Sequence, residues 1–171
     1  TDLLESERLA AGHAALQRER VDANALVRAL VAEQFSTAAL NLELAPQGKT
    51  TMSPQLIAAQ LDAGAWGMTF ANVTQARVGL AAGARHVLIA NQVMADADLS
   101  AIASLLRQHG GPRVLFLVDS LAQLDLIESW WRVQDEPAAP SFEVLLEIGL
   151  DGGRTGCRSH DQALALARRL H

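Results

Sequence analysis

Short aliphatic and β-branched runs alternate with longer stretches of helical period from about residue 38 onward, and this alternation constrains the fold more than any other feature. Such a pattern belongs to parallel α/β proteins, in which each strand is followed by a crossover helix. The runs predict strands at residues 39–44, 66–71, 86–90, 113–118 and 142–148, each of ordinary strand length. Helices are predicted at 54–63, 73–82, 95–109, 122–133 and 160–170. Ser53 followed by Pro54 reads as a cap and a first helical residue, while Gly64, Gly83 and the Gly110-Gly111 pair fall where helices should stop. Residues 1–34 differ: they are a run of helix formers and form a separate N-terminal helical segment ahead of a β/α unit at 35–171. The proline-containing stretch 135–141 reads as a loop before the fifth strand. About five β/α units are counted, fewer than the eight of a closed barrel of ~250 residues. An incomplete barrel and an open, doubly wound sheet fit this pattern equally well.

Composition narrows the partners. With 14 Lys and Arg against 19 Asp and Glu, the chain carries a net charge of -5 and has no basic cluster, which argues against nucleic acid. No apolar run approaches the roughly twenty residues that cross a bilayer, so no membrane span is expected. Cys157 stands alone and cannot form an internal disulfide, and the start of the chain is charged, without an apolar signal core. A cytoplasmic setting is expected.

Chemistry in a parallel α/β protein gathers at the C-terminal ends of the strands. After the first predicted strand comes Ala45-Pro46-Gln47-Gly48-Lys49-Thr50-Thr51-Met52. Here Lys49 stands among small neutral residues and is either an ordinary solvated loop lysine or, in a partly dry site, an amine suited to Schiff-base chemistry with an aldehyde. The segment lacks the first glycine of a phosphate-cradling P-loop. After the fifth strand comes Gly149-Leu150-Asp151-Gly152-Gly153-Arg154-Thr155-Gly156-Cys157. Its glycines permit close approach of backbone to a ligand, and Arg154 is either a solvated turn residue or a paired donor to an anionic oxygen. Asn72, Asn91, Gln92 and Asp119 also fall at strand ends; Asn91 and Asp119 either line the same mouth or cap the following helices. The five histidines are scattered and the one cysteine has no partner motif, so no metal is expected and Cys157 reads as a packed small residue. Of Trp130 and Trp131, one is expected to face outward.

The stretch Leu44 to Met52, with Pro46 and the run Gly48-Lys49-Thr50-Thr51, resembles the fold-type III pyridoxal-phosphate enzymes, which include D-serine dehydratases, D-threonine aldolases and alanine racemases. The likeness is greatest to the D-amino-acid deaminase branch. It continues through Gly64-Ala65-Trp66-Gly67, Ala71-Asn72-Val73-Thr74-Gln75-Ala76, Val87-Leu88-Ile89-Ala90-Asn91-Gln92, Leu117-Val118-Asp119-Ser120, and Leu145-Leu146-Glu147-Ile148-Gly149 with Gly152-Gly153-Arg154-Thr155-Gly156. Gln47 departs from the pattern, standing where the family carries a histidine near the cofactor. The resemblance implies pyridoxal 5'-phosphate as cofactor, Lys49 as the catalytic lysine that holds it, and Arg154 as the arginine on its phenolic-oxygen side. Asn91, Asp119 and Thr74 are the further cofactor-binding positions it implies.

It also implies an alanine-racemase-type parallel (β/α) barrel, here incomplete, whose other strands, phosphate loops, metal ligands and C-terminal β domain lie outside these residues. A complete protein of this kind is expected to be a homodimer and a lyase of small D-amino acids, D-serine deaminase-like, that yields a keto acid and ammonia. Alternatives of the same fold are a racemase or a D-threonine aldolase. Gln47 also leaves room for a non-catalytic cofactor carrier, and for a remnant with a structural role only.

Overall fold

The computed structural model describes residues 44–108, 111–134 and 140–170. The predicted helical segment 1–34 and residues 39–43 of the first predicted strand lie outside them. In chain order the elements are α1 (Pro54–Asp62), β1 (Met68–Phe70), α2 (Val73–Ala81), β2 (His86–Gln92), α3 (Asp96–Leu106), β3 (Arg113–Val118), α4 (Leu121–Arg132), β4 (Glu143–Leu146) and α5 (His160–Leu170). Among the described residues no helix is long and apolar enough to cross a membrane.

The four strands form one sheet in the order β1-β2-β3-β4, every pair parallel. Among the described residues the strands follow chain order, without the reversal that defines a doubly wound sheet. The barrel is not closed among the described residues, which contain four strands where five were expected. Of the first predicted strand only Leu44 lies among the described residues. Leu44 O accepts from Trp66 N at 2.9 Å, Pro46 O from Thr69 N at 2.8 Å, and Gly48 N donates to Thr69 O at 2.8 Å, so residues 44–48 lie parallel beside β1.

Right-handed crossovers to successive neighbours put the helices on one face of the sheet. That face is the core: Met68, Phe70, Val87, Ile89, Val114, Phe116 and Val118 are buried against Ile57, Val73, Ala76, Leu99, Ile102, Leu124 and Leu166 of the helices. On β4 exposed and half-buried residues alternate, with Leu145, on the face away from this core, 42% exposed. Phe70 shows how tight the packing is. A Cβ on Gly48 would stand 2.4 Å from its Cε1, and one on Gly79 of α2 would stand 2.2 Å from its Cε2. The ring is gripped between two glycines, one preceding Lys49 and one in the covering helix. Trp130 is buried and donates Nε1–H to Ser100 Oγ at 3.0 Å, while Trp131 is 46% exposed, the division expected from the sequence.

Helix starts are set by reciprocal caps. Asn72 Oδ1 accepts from Gln75 N at 2.9 Å, and Gln75 Oε1 accepts from Ala71 N at 3.0 Å. In the same way Ser120 Oγ accepts from Gln123 N, and the buried Gln123 returns Oε1 to Asp119 N at 3.2 Å and donates to Leu117 O at 3.0 Å. The N-cap of α3 is Ala95 and that of α4 is Ser120. Capping is therefore not the work of Asn91 or Asp119, whose side chains bond elsewhere at the sheet's rim.

Candidate active site

The C-terminal rim of the sheet carries the turn of Lys49 at one flank and the glycine loop of Arg154 at the other. The lysine turn is built on β1. Thr69, 3% exposed, donates Oγ1–H to Ala45 O at 2.7 Å, and its backbone brackets Pro46 and Gly48 as above. Met52 N then closes the turn onto Gly48 O at 3.0 Å, with Met52 itself in the left-handed region at φ 45°, a conformation uncommon for a residue with a Cβ. Lys49 projects from this fixed turn, exposed, and no carboxylate pairs with it among the described residues. Of the two readings of its surroundings, solvated or partly dry, the described residues give the solvated one: Lys49, Thr50 and Thr51 are all exposed.

The centre of the rim is a polar network that the sequence reading did not assemble. Between Ile89, paired with Phe116, and Gln92, paired with Leu117, strand β2 shifts register. A bulge of this kind re-aims a side chain. It leaves Asn91 exposed, its Oδ1 accepting only from the neighbouring Gln92 N at 3.1 Å, and sends the Gln92 amide across β3 and β4. Gln92 Nε2 donates to Asp119 Oδ2 at 3.0 Å and to Glu147 Oε2 at 2.7 Å. Asp119 Oδ2 also accepts from Gly156 N at 2.9 Å, and Glu147 Oε1 accepts from Thr155 Oγ1 at 2.9 Å. Gln92, Asp119 and Glu147 thus come from three successive strand ends, and both carboxylates hold the glycine loop.

Within that loop Arg154 is exposed and makes no hydrogen bond or ion pair among the described residues. The loop's internal arginine is Arg158, whose guanidinium donates to Leu150 O at 2.8 Å, Thr155 O at 2.9 Å and Gly153 O at 2.7 Å. Sequence reasoning missed Arg158, and it quoted Thr155 without giving it a role. It quoted Glu147 within a motif without giving it a role, and no local signal marks the pairing of Glu147 with Gln92, 55 residues away. Thr74 lies in the first turn of α2, exposed at the same rim. Of the five predicted positions, the structure ties Asp119 to the loop of Arg154, sets Asn91 beside Gln92, and leaves Lys49 and Thr74 at the β1 end of the rim without a bond to the others. Cys157 is 3% exposed, and its Sγ–H points to Asp119 O at 3.3 Å. Burial first, and then the Asp119 carboxylate, push its thiol up from the ordinary value of 9.0. It is a packed residue, as expected, and a poor nucleophile. Among the described residues no group of three or more His, Cys, Asp or Glu side chains is gathered that could hold a metal ion.

No protein-family model matches the chain. It is 35% identical over 153 residues to D-threo-3-hydroxyaspartate dehydratase from Delftia sp. (strain HT23), covering 88% of this chain and 38% of that protein. It is 30% identical over 128 residues to D-threonine aldolase from Arthrobacter sp., covering 75% of this chain and 32% of that one. The crystal structure of D-threonine aldolase from Filomicrobium marinum matches with a TM-score of 0.72 at 28% identity, over 86% of this chain and 38% of that one. The chain therefore spans well under half the length of the relatives it matches.

Proposed function

We propose, on the premise that this chain belongs over the stretch it shares with them to the fold-type III pyridoxal-phosphate enzymes of the dehydratase and aldolase branch, that the complete protein is a lyase of a small D-amino acid bearing a β-hydroxyl. Within that class we infer the deaminase outcome, in which D-serine or a β-substituted analogue yields a keto acid and ammonia. Its supporting observation is the match to a dehydratase at 35% identity over 88% of the chain. A cytoplasmic homodimer built around a complete barrel is the form in which we expect it to act.

Pyridoxal phosphate is the family's cofactor, and the donor set of the rim fits it. Lys49 offers a primary amine with no carboxylate paired to it among the described residues. The two rim carboxylates, Asp119 and Glu147, are already engaged by Gln92, Thr155 and Gly156. When bound, the cofactor supplies an aldehyde and a ring that acts as electron sink. Lys49 would hold it, and its freed Nζ would take a proton from the substrate's α-carbon. Arg154 would bind an anionic oxygen of the cofactor with its forked donors, while Asn91, Asp119 and Thr74 line the rim around it.

The test is turnover by the full-length protein of D-serine, D-threo-3-hydroxyaspartate and D-threonine, with products identified. Keto acid and ammonia, lost in Lys49→Ala, support the reading. Glycine plus an aldehyde would make it an aldolase, and cofactor binding without turnover would favour the carrier suggested by Gln47, which lies exposed two residues before Lys49.

A further inference from the structure

The loop from Gly149 to Cys157 is closed at its base and braced from both sides. Gly149 N donates to Cys157 O at 2.9 Å and Cys157 N to Glu147 O at 2.8 Å, so the two ends of the loop run side by side. A Cβ on Gly156, whose φ is +92°, would lie 2.5 Å from Gly149 N, and only glycine allows this approach. Arg158 satisfies the inner carbonyls. The outer face is held by the two carboxylates, and these are held by Gln92. Leu150, Asp151, Gly152, Gly153 and Arg154 are the exposed part, and Arg154 is the last of them before the tied Thr155.

We propose that Gln92 is a positioning residue, whose amide locks Asp119 and Glu147 onto Thr155 and Gly156 and so fixes the arm that presents Arg154 to the cofactor. The role of Arg154 rests on the functional reading above; the clamp itself does not. Nε2 has two hydrogens, and both are used, one on each carboxylate. A neutral donor suits the place. Without it two carboxylates that converge on one nitrogen would repel each other and swing apart, carrying Thr155 and Gly156 with them. The bulge in β2 is the backbone device that delivers the amide to this point.

The experiment uses the full-length protein with pyridoxal phosphate as the probe. Hydrogen exchange in the peptide spanning 150–157 is compared, without cofactor, between wild type and Gln92→Met, a variant that keeps length and loses both donors. Cofactor affinity is then titrated by absorbance in wild type, Gln92→Met, Arg154→Ala and the double variant. We expect exchange at the Gly156 amide to rise about tenfold or more, and affinity to fall about tenfold in Gln92→Met. The same substitution should change affinity less than about twofold once Arg154 is Ala, because the two act through one contact. Thr155→Val, which removes only the tether to Glu147, should move both readouts in the same direction and serves where Gln92→Met fails to fold. Unchanged exchange overturns the clamp. An equal loss of affinity with Arg154 already Ala overturns its action through that arginine. A wild type that binds no pyridoxal phosphate overturns the functional reading, while the exchange data still decide the clamp.

Discussion

Gly79→Ala separates two forces that predict opposite signs. In a helix interior alanine is favoured over glycine by about 0.8–1.0 kcal/mol, so propensity alone makes the variant of α2 more stable. Packing says otherwise. The new methyl would stand 2.2 Å from both Cε2 and Cζ of Phe70, and Phe70, fully buried, cannot retreat because Gly48 already touches the other edge of its ring. Overpacking of this kind costs about 1–3 kcal/mol, which leaves a net change between about zero and a loss of about 2 kcal/mol once propensity is deducted. That lowers the thermal midpoint by at most about 8 °C, measurable by circular dichroism on the full-length protein. The control is Phe70→Leu, which removes the clashing ring atoms and alone costs about 1–2 kcal/mol through the cavity it leaves. In that background Gly79→Ala should be neutral or stabilising, a coupling above about 1 kcal/mol. A higher midpoint for the single Gly79→Ala variant, or strict additivity in the double one, would refute the view that the ring is gripped from both sides.

Three other outcomes follow from the rim. Thr69→Val removes the donor that holds Ala45 O from a buried position, so stability should fall by about 1–3 kcal/mol and proteolysis near Lys49 should quicken. Arg158→Ala strips three carbonyls of their shared partner and should open 150–156 to hydrogen exchange while leaving β2 and β3 protected. Cys157, whose thiol burial raises, contributes stability that is fully present below the ordinary value of 9.0 and is lost as pH rises through the higher folded one. The advantage of wild type over Cys157→Ala in thermal scans should therefore shrink above pH 9.0, and alkylation of the native thiol near neutral pH should be slow.

Much of the scaffold was legible because it is written locally. The run Arg113–Val118 and the helix His160–Leu170 have the bounds that residue pattern predicts, and the cap at Ser53 stands where expected, whereas Asn72, read as a residue of the mouth, is the N-cap of α2. Errors collected at the strand ends. β1 is three residues where six were expected, since Gly67 already packs on His86 backbone and Ala71 turns into the Asn72 cap. β2 runs two residues beyond Ala90 through a bulge, and no local pattern announces a bulge. Asn91 and Asp119 suggested caps, but the neighbouring Ser120 caps better and the Asn91 side chain stays beside Gln92. The braced loop was harder still. Whether Arg154 or Arg158 occupies its interior depends on where carbonyls converge after folding, and the sequence presents the two arginines alike.

A sheet laid down strictly in chain order also has a history. Met68 pairs with Val87, Val87 with Val114, and Phe116 with Val144, so each ladder forms with the unit just completed and never waits for a distant segment. A chain emerging from the ribosome can therefore add one β/α layer at a time, with only a short loop to close at each step. The open edge moves forward as it does so, from β2 to β3 to β4. The Gln92 amide is made early and stays without its second partner until Glu147 arrives, so the rim's polar network matures only when β4 docks. Synthesis thus builds the scaffold first and the loop that carries Arg154 afterwards, on a platform already rigid enough to hold it.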